Sequence, residues 1–189
     1  MTPEQRLDKA LTSILEKYSK SFSAKLFSEE SVEEDDLMLI FGLTQAVKAE
    51  NKQYWGRELG LCWQRVVVEV CRQTHENFGS AIREGADEIC DLTVGQDAID
   101  TKYRIGSGDS GTLKKFKQYG ERLSKSGYRP VVLILRTDNL PAAITACISG
   151  GWTVFTGEKS FEYLQQLTYF DLKAWLQSRK GYYSVSRKS

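Results

Sequence analysis

Residues 89–105, which have the sequence ICDLTVGQDAIDTKYRI, contain the pattern that best indicates the fold. Polar and apolar residues alternate on both sides of Gly95-Gln96, which predicts strands at 89–94 and 98–105 joined by a two-residue hairpin loop. A glycine in the first loop position favours a type II′ turn. The stretch therefore predicts an antiparallel pair of strands with a defined register.

Pairing of the two strands about this loop is predicted to place two carboxylates directly opposite each other. Val94 lies opposite Asp97, and the same register places Asp91 opposite Asp100, with Cβ atoms roughly 4.5–5.5 Å apart. Lys102 follows Asp100 by two residues, so its side chain points to the same face of the sheet. Like charges directly opposite each other destabilise a hairpin, and a divalent cation would offset their repulsion.

The three charged side chains favour phosphoryl chemistry assisted by Mg²⁺. This ion prefers oxygen ligands and is typically held by one or two carboxylates together with substrate phosphate and water. A lysine beside it can stabilise the developing charge of a phosphate or lower the pKa of an attacking water. The alternative is a surface salt-bridge cluster on a half-exposed sheet.

The segments around the hairpin predict a mixed α/β fold. Residues 131–135 form a continuous apolar run, which is typical of a central strand covered on both faces. The acidic run at 29–36 is interpreted as the solvated start of a helix. Helical periodicity predicts helices at 7–26, 37–47, 53–77, 112–126, 141–149 and 160–177, and a further strand is predicted at 152–155. The order indicates a mixed central sheet flanked by helices, with a helical N-terminal extension.

The composition excludes several functional classes. A chain of 189 residues, 41% hydrophobic and 27% charged, is that of an ordinary globular domain. It has one histidine, His75, which we interpret as a cap or surface residue, and its four cysteines form no CxxC pair, so a Cys/His zinc site is excluded. No run approaches the ~18 apolar residues of a membrane span, and the N-terminus lacks a signal-peptide pattern. We therefore expect a cytoplasmic protein with reduced, buried thiols and no membrane partner.

Positive charge is concentrated in one part of the chain. Residues 101–136 carry nine basic and two acidic side chains, although the formal net charge of the whole chain is +1. Such a local excess favours a phosphodiester-containing partner. The Gly/Ser-rich loop at 106–111 lacks the Gly-Lys-Ser/Thr ending and the glycine spacing of nucleotide-binding loops, so no nucleotide cofactor is expected.

Over residues 54–137 these motifs resemble the PD-(D/E)XK nuclease superfamily. The motif in this sequence is Asp91, preceded by Cys90 where the family often has proline, followed by Asp100-Thr101-Lys102. The resemblance implies that Asp91, Asp100 and the backbone carbonyl of Thr101 ligate Mg²⁺, and that Lys102 orients or activates the attacking water. It also implies hydrolysis that leaves 5′-phosphate and 3′-hydroxyl ends without a covalent protein intermediate.

The sequence is further similar to small type II restriction endonucleases, among them the ApaLI-like group. The DNA-facing elements of these enzymes are similar to Tyr103-Arg104, the Gly/Ser loop and the lysine-rich helix. The sequence pattern of residues 151–172 is also similar to theirs. The resemblance implies that double-stranded DNA is contacted by polar and basic side chains, namely Arg104, Ser107, Ser110, Lys114, Lys115 and Lys117. A plain connecting loop and solvated lysines are the alternatives.

Many family members add an acidic side chain from the helix that precedes the hairpin. Glu58 and Glu69 share one face of that predicted helix but lie about 16 Å apart along its axis, so only one can reach the metal. Related enzymes often carry a glutamate seven residues after an Arg-x-x-Gly start, and Gln64 stands there in this chain. The assignment stays open among Glu58, Gln64 and Glu69, and an exposed charged face formed by Glu58, Arg65 and Glu69 is the alternative.

The predicted organisation is a helical N-terminal extension at 1–50, a nuclease core at 51–178 and a basic tail at 179–189. We expect a Mg²⁺-dependent type II restriction endonuclease that cuts a short palindromic duplex site. One cleavage centre per subunit then calls for a two-fold homodimer. The alternatives are a structure-specific nuclease of the same family, such as a resolvase or repair enzyme, and a non-catalytic DNA-binding domain.

Overall fold

The computed structural model describes residues 26–185, together with residues 12, 15–17, 19, 20 and 23, which lie in a helix ahead of them. Most of the helix predicted at 7–26 and the end of the basic tail therefore lie outside the described residues. None of the described helices is long and apolar enough to cross a membrane.

Five of the described strands form one mixed sheet. In chain order the strands are β1 (Leu26–Phe27), β2 (Phe78–Glu84), β3 (Asp87–Val94), β4 (Asp97–Lys102), β5 (Ser107–Gly108), β6 (Arg129–Ile134) and β7 (Thr153–Thr156). The sheet has the order β2-β3-β4-β6-β7, with antiparallel pairing from β2 to β4 and parallel pairing from β4 to β7. Strands β1 and β5 form a separate antiparallel pair.

Helices cover both faces of this sheet. They are α1 (Asp36–Ile40), α2 (Gln45–Glu50), α3 (Lys52–Thr74), α4 (Ser110–Lys125), α5 (Pro141–Ser149), α6 (Glu158–Thr168) and α7 (Leu172–Gln177). Val131 and Leu133 of β6 pack in one core with α1, α3, α6 and α7, while Val132 and Ile134 pack in a second core with α4 and α5. The mixed α/β fold with a helix-covered central strand is confirmed.

The loop and register of the predicted hairpin are confirmed, but β4 ends at Lys102 rather than at residue 105. The strand pairs end at Leu92 and Ile99, so the expected pairing of Asp91 with Asp100 does not form. Val94 pairs with Asp97, as the two-residue loop requires. Gly95 has a φ of +59° whereas Gln96 is not among the residues with positive φ, which is the pattern of a type II′ turn. The helix predicted at 141–149 has the same bounds in the structure.

The predicted helix at 53–77 is three residues too long at its C-terminal end, and the strand that follows it, β2, is not predicted from the sequence. Helix α3 ends at Thr74, with the backbone N–H of His75 donating to the Cys71 carbonyl, and β2 begins at Phe78. Gly79 suggests a helix end in the sequence, but it serves close strand packing. A Cβ atom at this position would lie 2.2 Å from Oγ1 of Thr93 on β3.

Two other predicted helices are each broken into two. Residues 37–47 contribute to α1 and α2, and the Thr44 hydroxyl accepts a hydrogen bond that caps the start of α2. Residues 160–177 contribute to α6 and α7, which are separated by Tyr169 in the left-handed conformation and by Asp171, whose carboxylate caps α7. These polar side chains start new helices by satisfying free backbone N–H groups.

Candidate functional site

The Asp91 carboxylate fills a gap between β3 and β4. The pairing of these strands ends at Leu92 and Ile99. Beyond that pair, the backbone N–H and the hydroxyl of Thr101 donate to Oδ2 of Asp91 at 2.6 and 2.5 Å. Gln64 on α3 donates from Nε2 to Oδ1 of the same carboxylate at 2.6 Å. The Asp91 side chain thus connects two strands and the helix that packs on them.

Asp100 and Lys102 lie beside this gap and are accessible to solvent. The Nζ atom of Lys102 is 2.6 Å from Oδ2 of Asp100, and the two side chains are 36% and 13% exposed, respectively. Together with Thr112 and Lys115 of α4 they line a recess of about 170 Å³. A substrate can therefore approach the Asp100–Lys102 pair through the recess between β4 and α4.

The three charged groups interact electrostatically. Burial, and then the negative charge of Asp100, raises the pKa of Asp91 to about 6 against the opposing effects of Lys102 and of the hydrogen bonds from Thr101. Burial favours the neutral amine of Lys102, but the Asp100 and Asp91 carboxylates outweigh it and raise the pKa of Lys102. Lys102 is therefore a cation at neutral pH, where Asp91 carries a negative charge that its surroundings disfavour.

The backbone carbonyl of Thr101 faces the same gap. The Leu135 N–H donates to the carbonyl of Lys102, which turns that carbonyl toward β6. Successive carbonyls alternate in direction along a strand, so the Thr101 carbonyl is turned toward β3. The Nζ atom of Lys102 also donates to this carbonyl oxygen at 3.2 Å. One backbone oxygen and the Asp91 carboxylate thus converge between the strands.

The oxygen donors of this site fit Mg²⁺. Asp91, Asp100 and the Thr101 carbonyl supply hard oxygen ligands, and Mg²⁺ completes such a set with water and substrate phosphate. Across residues 26–185 and the described positions before them, no group of three or more His, Cys, Asp or Glu side chains is placed to hold a metal ion. An all-protein zinc or calcium cage would require a fuller set of side-chain ligands.

Among the three candidates on α3, the structure brings Gln64 to Asp91. The Glu58 side chain is 40% exposed and pairs with Arg57. The Glu69 side chain is 54% exposed and pairs with Arg72. Both glutamates lie on a face of α3 about 120–140° around the helix axis from Gln64. The structure does not bring either of these two candidate catalytic residues to the Asp91 carboxylate.

Arg104, which we predict to contact DNA, is engaged inside the protein. Its guanidinium donates to the carbonyl oxygens of Ser28 and Glu29, both at 2.8 Å, and to that of Asp138 at 3.0 Å. The side chain is 14% exposed and also pairs with the Asp138 carboxylate. Arg104 thus fastens residues 28–29 to the core through hydrogen bonds within the protein.

The other five predicted DNA contacts are exposed and lie in β5 and in the first half of α4. Ser107 lies in the short strand β5, and Ser110 is the first residue of α4. Lys114, Lys115 and Lys117 are exposed on α4. Of the six predicted residues, Lys115 lines the recess that contains Asp100 and Lys102.

Sequence reasoning missed a buried ion network at the ends of β4 and β6. Arg136 follows β6, is 4% exposed, and donates to Oδ2 of Asp35 at 3.0 Å and Oδ1 of Asp138 at 2.9 Å. It also donates to the carbonyls of Glu33 and Ser31 at 3.0 and 3.1 Å. This guanidinium therefore holds the segment before α1 against the end of the central strand.

Tyr103, the residue after Lys102, extends the same network. Its hydroxyl donates to Asp35 and accepts a hydrogen bond from Nζ of the buried Lys48 at 2.8 Å. Lys48 also pairs with Glu30. The end of β4, where Lys102 lies, is thereby fixed to the N-terminal part of the chain.

The acidic run at 29–36 is only partly the solvated helix start that the sequence predicts. The Asp35 carboxylate caps α1 by accepting from the N–H groups of Leu37 and Met38, which confirms a helix start. Asp35 and Glu30 also pair with buried cations, so the interpretation of the run as solvated is wrong for these two residues. The sequence signal for this network is a charged residue, Arg136, directly after the apolar run at 131–135. A charge at the end of a buried strand needs a buried partner of opposite charge.

No protein-family model, curated protein or solved structure matches this chain.

Replacing Arg136 with methionine is expected to destabilise the protein by about 3–5 kcal/mol, because it leaves the Asp35 carboxylate buried without a cation and leaves Asp138 with Arg104 alone. The matched control is Arg83→Met, which removes an exposed ion pair with Glu88 and should cost no more than about 1 kcal/mol. Chemical denaturation of both variants measures the difference. Equal losses would contradict a structural role for the buried network.

Asp91→Asn is expected to stabilise the metal-free protein at high pH. The folded-state pKa of about 6 lies above the unfolded value near 4, so the charge penalty is absent below about pH 4, grows as the pH rises to 6 and is complete above it. Asparagine removes the charge, and rotation of the Gln64 amide preserves the hydrogen bonds. The two-unit shift corresponds to at most roughly 3 kcal/mol.

Melting temperatures in EDTA at pH 4 and pH 8 measure this effect. The gain of Asp91→Asn over the wild type should be larger at pH 8. Glu76→Gln, which neutralises an exposed carboxylate, is the control and should show no such pH dependence. A gain for Asp91→Asn that is equal at both pH values would refute the buried charge.

Proposed function

We propose that this protein is a Mg²⁺-dependent endodeoxyribonuclease of the PD-(D/E)XK kind, and specifically a type II restriction endonuclease. The observation that carries the proposal is the position of Asp91 in the gap between β3 and β4, beside the Asp100–Lys102 pair. The direct partners of the Asp91 carboxylate, Gln64 and Thr101, are neutral. A salt-bridge cluster would pair this carboxylate directly with a cation, whereas a metal site leaves its charge available.

The order of elements supports a restriction-endonuclease-like core. Helix α3 precedes the antiparallel strands β2, β3 and β4, and helix α4 leads from β4 to the parallel strand β6. The motif residues lie on β3 and β4, and Gln64 reaches Asp91 from the preceding helix. This is the order of helix, hairpin, helix and apolar strand on which the sequence resemblance rests.

The residues of the site would take distinct roles. Lys102, whose raised pKa keeps it protonated, is suited to stabilising negative charge on the scissile phosphate rather than to removing a proton from water. Asp91, Asp100 and the Thr101 carbonyl would hold the cation, and Gln64 would fix the orientation of Asp91. The chemistry that bound Mg²⁺ supplies is polarisation of the phosphate and activation of water.

The substrate that suits these roles is duplex DNA. The phosphodiester backbone would approach the recess at Asp100 and Lys102, with Lys115 at its edge and Lys114 and Lys117 farther along the surface of α4. Lysines placed in this way contribute sequence-independent affinity for phosphate. Symmetric cleavage of a palindromic site would require two subunits related by a two-fold axis.

Incubation with supercoiled plasmid and Mg²⁺ tests the proposal. We expect discrete fragments with 5′-phosphate ends, no cleavage in EDTA, and binding without cleavage in Ca²⁺, which coordinates more loosely. Lys102→Ala should lower the cleavage rate at least about a hundredfold while DNA binding is retained. Lys159→Ala, at an exposed lysine on α6 outside the proposed DNA contacts, should retain the activity.

The same assay separates the alternatives. Cleavage confined to branched or damaged DNA would favour a structure-specific nuclease of the same family. Binding to DNA without cleavage in Mg²⁺ or Mn²⁺ would favour a non-catalytic DNA-binding domain. A Lys102→Ala variant that cuts at the wild-type rate would refute the assignment of this site.

A further inference from the structure

An open apolar groove runs along the outer face of α3. It has a volume of about 600 Å³ and lies between α3 and the corner that joins α6 to α7. Its apolar walls include Leu61, Cys62, Val66, Val70, Phe170 and Trp175. The Leu61 and Trp175 residues are 40% and 39% exposed. A contiguous apolar surface of this kind marks an interaction site.

The sequence near the N-terminus has a pattern of apolar residues, here called the N-terminal stripe. Its members recur at helical spacing and are Leu7, Leu11, Ile14, Leu15, Tyr18 and Phe22. Leu15, the member whose side chain the structure describes, lies in a helix and is 70% exposed. An amphipathic helix requires an apolar surface against which to bury such a stripe.

The groove and the N-terminal stripe match in length. At about 1.5 Å per residue, a helix from Leu7 to Phe22 would span roughly 22 Å, and the groove from Glu58 to Thr74 spans roughly 24 Å. The two acidic groove residues, Glu58 and Glu69, are already paired with Arg57 and Arg72. The match therefore rests on length and apolar character.

We propose that the N-terminal helix of one copy of this chain occupies the α3 groove of a second copy. In the single chain the Leu15 side chain is 70% exposed and the groove is open, so neither is covered by the other. Each copy carries one helix and one groove, and a two-fold axis therefore covers both grooves at once. Two such helix-in-groove contacts double the buried area and bring it toward the roughly 1,200–2,000 Å² of a stable interface.

The inference does not rest on the proposed nuclease function. It concerns surfaces on the far side of α3 from Gln64, and its test has no catalytic readout. An exchanged pair would place two copies of the Asp91 site in one particle, which is the arrangement that symmetric cleavage requires.

The native thiol of Cys62 provides the test, because it is half-buried in the groove while Cys71, Cys90 and Cys147 are buried. Full-length Leu15→Cys protein is oxidised mildly and analysed on a non-reducing gel and by peptide mass. We expect a dimer linked by a disulfide between position 15 and Cys62. The link should disappear in a Cys62→Ser background.

The control for this experiment is Lys17→Cys, which places a thiol on the opposite side of the same helix, about 160° from position 15. It should give less than about a tenth of the linked dimer, because its thiol would point away from the groove. Equal yields from the two variants would overturn the proposal. A disulfide between position 15 and Cys62 within one chain would also overturn it, since the helix would then occupy the groove of its own copy.

Light scattering at micromolar concentration gives a second, independent readout. The wild type should be a dimer, and Leu61→Glu, which changes an exposed groove residue, should raise the dissociation constant at least about tenfold. Ile148→Glu, at a residue that is 60% exposed on α5, is the matched control and should leave the dimer intact. Circular dichroism verifies that each variant is folded, and a monomeric wild type would overturn the proposal.

Discussion

The hydrogen bonds that Thr101 and Gln64 donate to Asp91 are the interactions on which the candidate site depends. They hold a carboxylate in the gap where β3 and β4 cease to pair. Because every one of these donors is neutral, the carboxylate is oriented without being neutralised. The raised pKa of Asp91 reflects the free-energy cost of burying its negative charge near Asp100. A bound cation would remove that cost, which is the physical link between this local geometry and metal-dependent chemistry.

A second constraint fixes the strand that carries Lys102. Tyr103 and Arg136 lie at the ends of two adjacent parallel strands, and both interact with Asp35. Breaking a buried network of this kind leaves charges without partners, so it resists deformation. The segment before α1 is therefore a structural support for the end of β4. This arrangement also explains why Arg104 is directed inward, since it fastens the same segment at Ser28.

The sequence predicted the parts of the site that depend on local chain geometry. A two-residue loop fixes strand register, so the pairing of Val94 with Asp97 followed from the position of Gly95 alone. The choice among the three α3 candidates could not be made in this way. Which face of α3 approaches Asp91 depends on how that helix packs on the sheet, and Gln64 was one of three open alternatives.

The remaining differences between the predicted and the observed structure have two causes: contacts between residues far apart in the chain, and polar side chains that cap short helices. Asp35 precedes Arg136 by 101 residues and Asp138 follows it by two. No local sequence pattern relates Asp35 to Arg136. Strand β2 was missed because Gly79 resembles a helix end, whereas it allows Thr93 to approach closely. Thr44 and Asp171 each start a new helix within a region that periodicity alone predicts to be continuous.

The central claim is that Asp91 and Asp100 share one divalent cation. The most direct measurement is a crystal structure of the protein soaked with Mn²⁺, whose anomalous scattering locates the ion. We expect a peak between β3 and β4, roughly 2.0–2.4 Å from one carboxylate oxygen of each aspartate. An absence of any peak there at saturating Mn²⁺, or a peak held by only one of the two carboxylates, would contradict the claim.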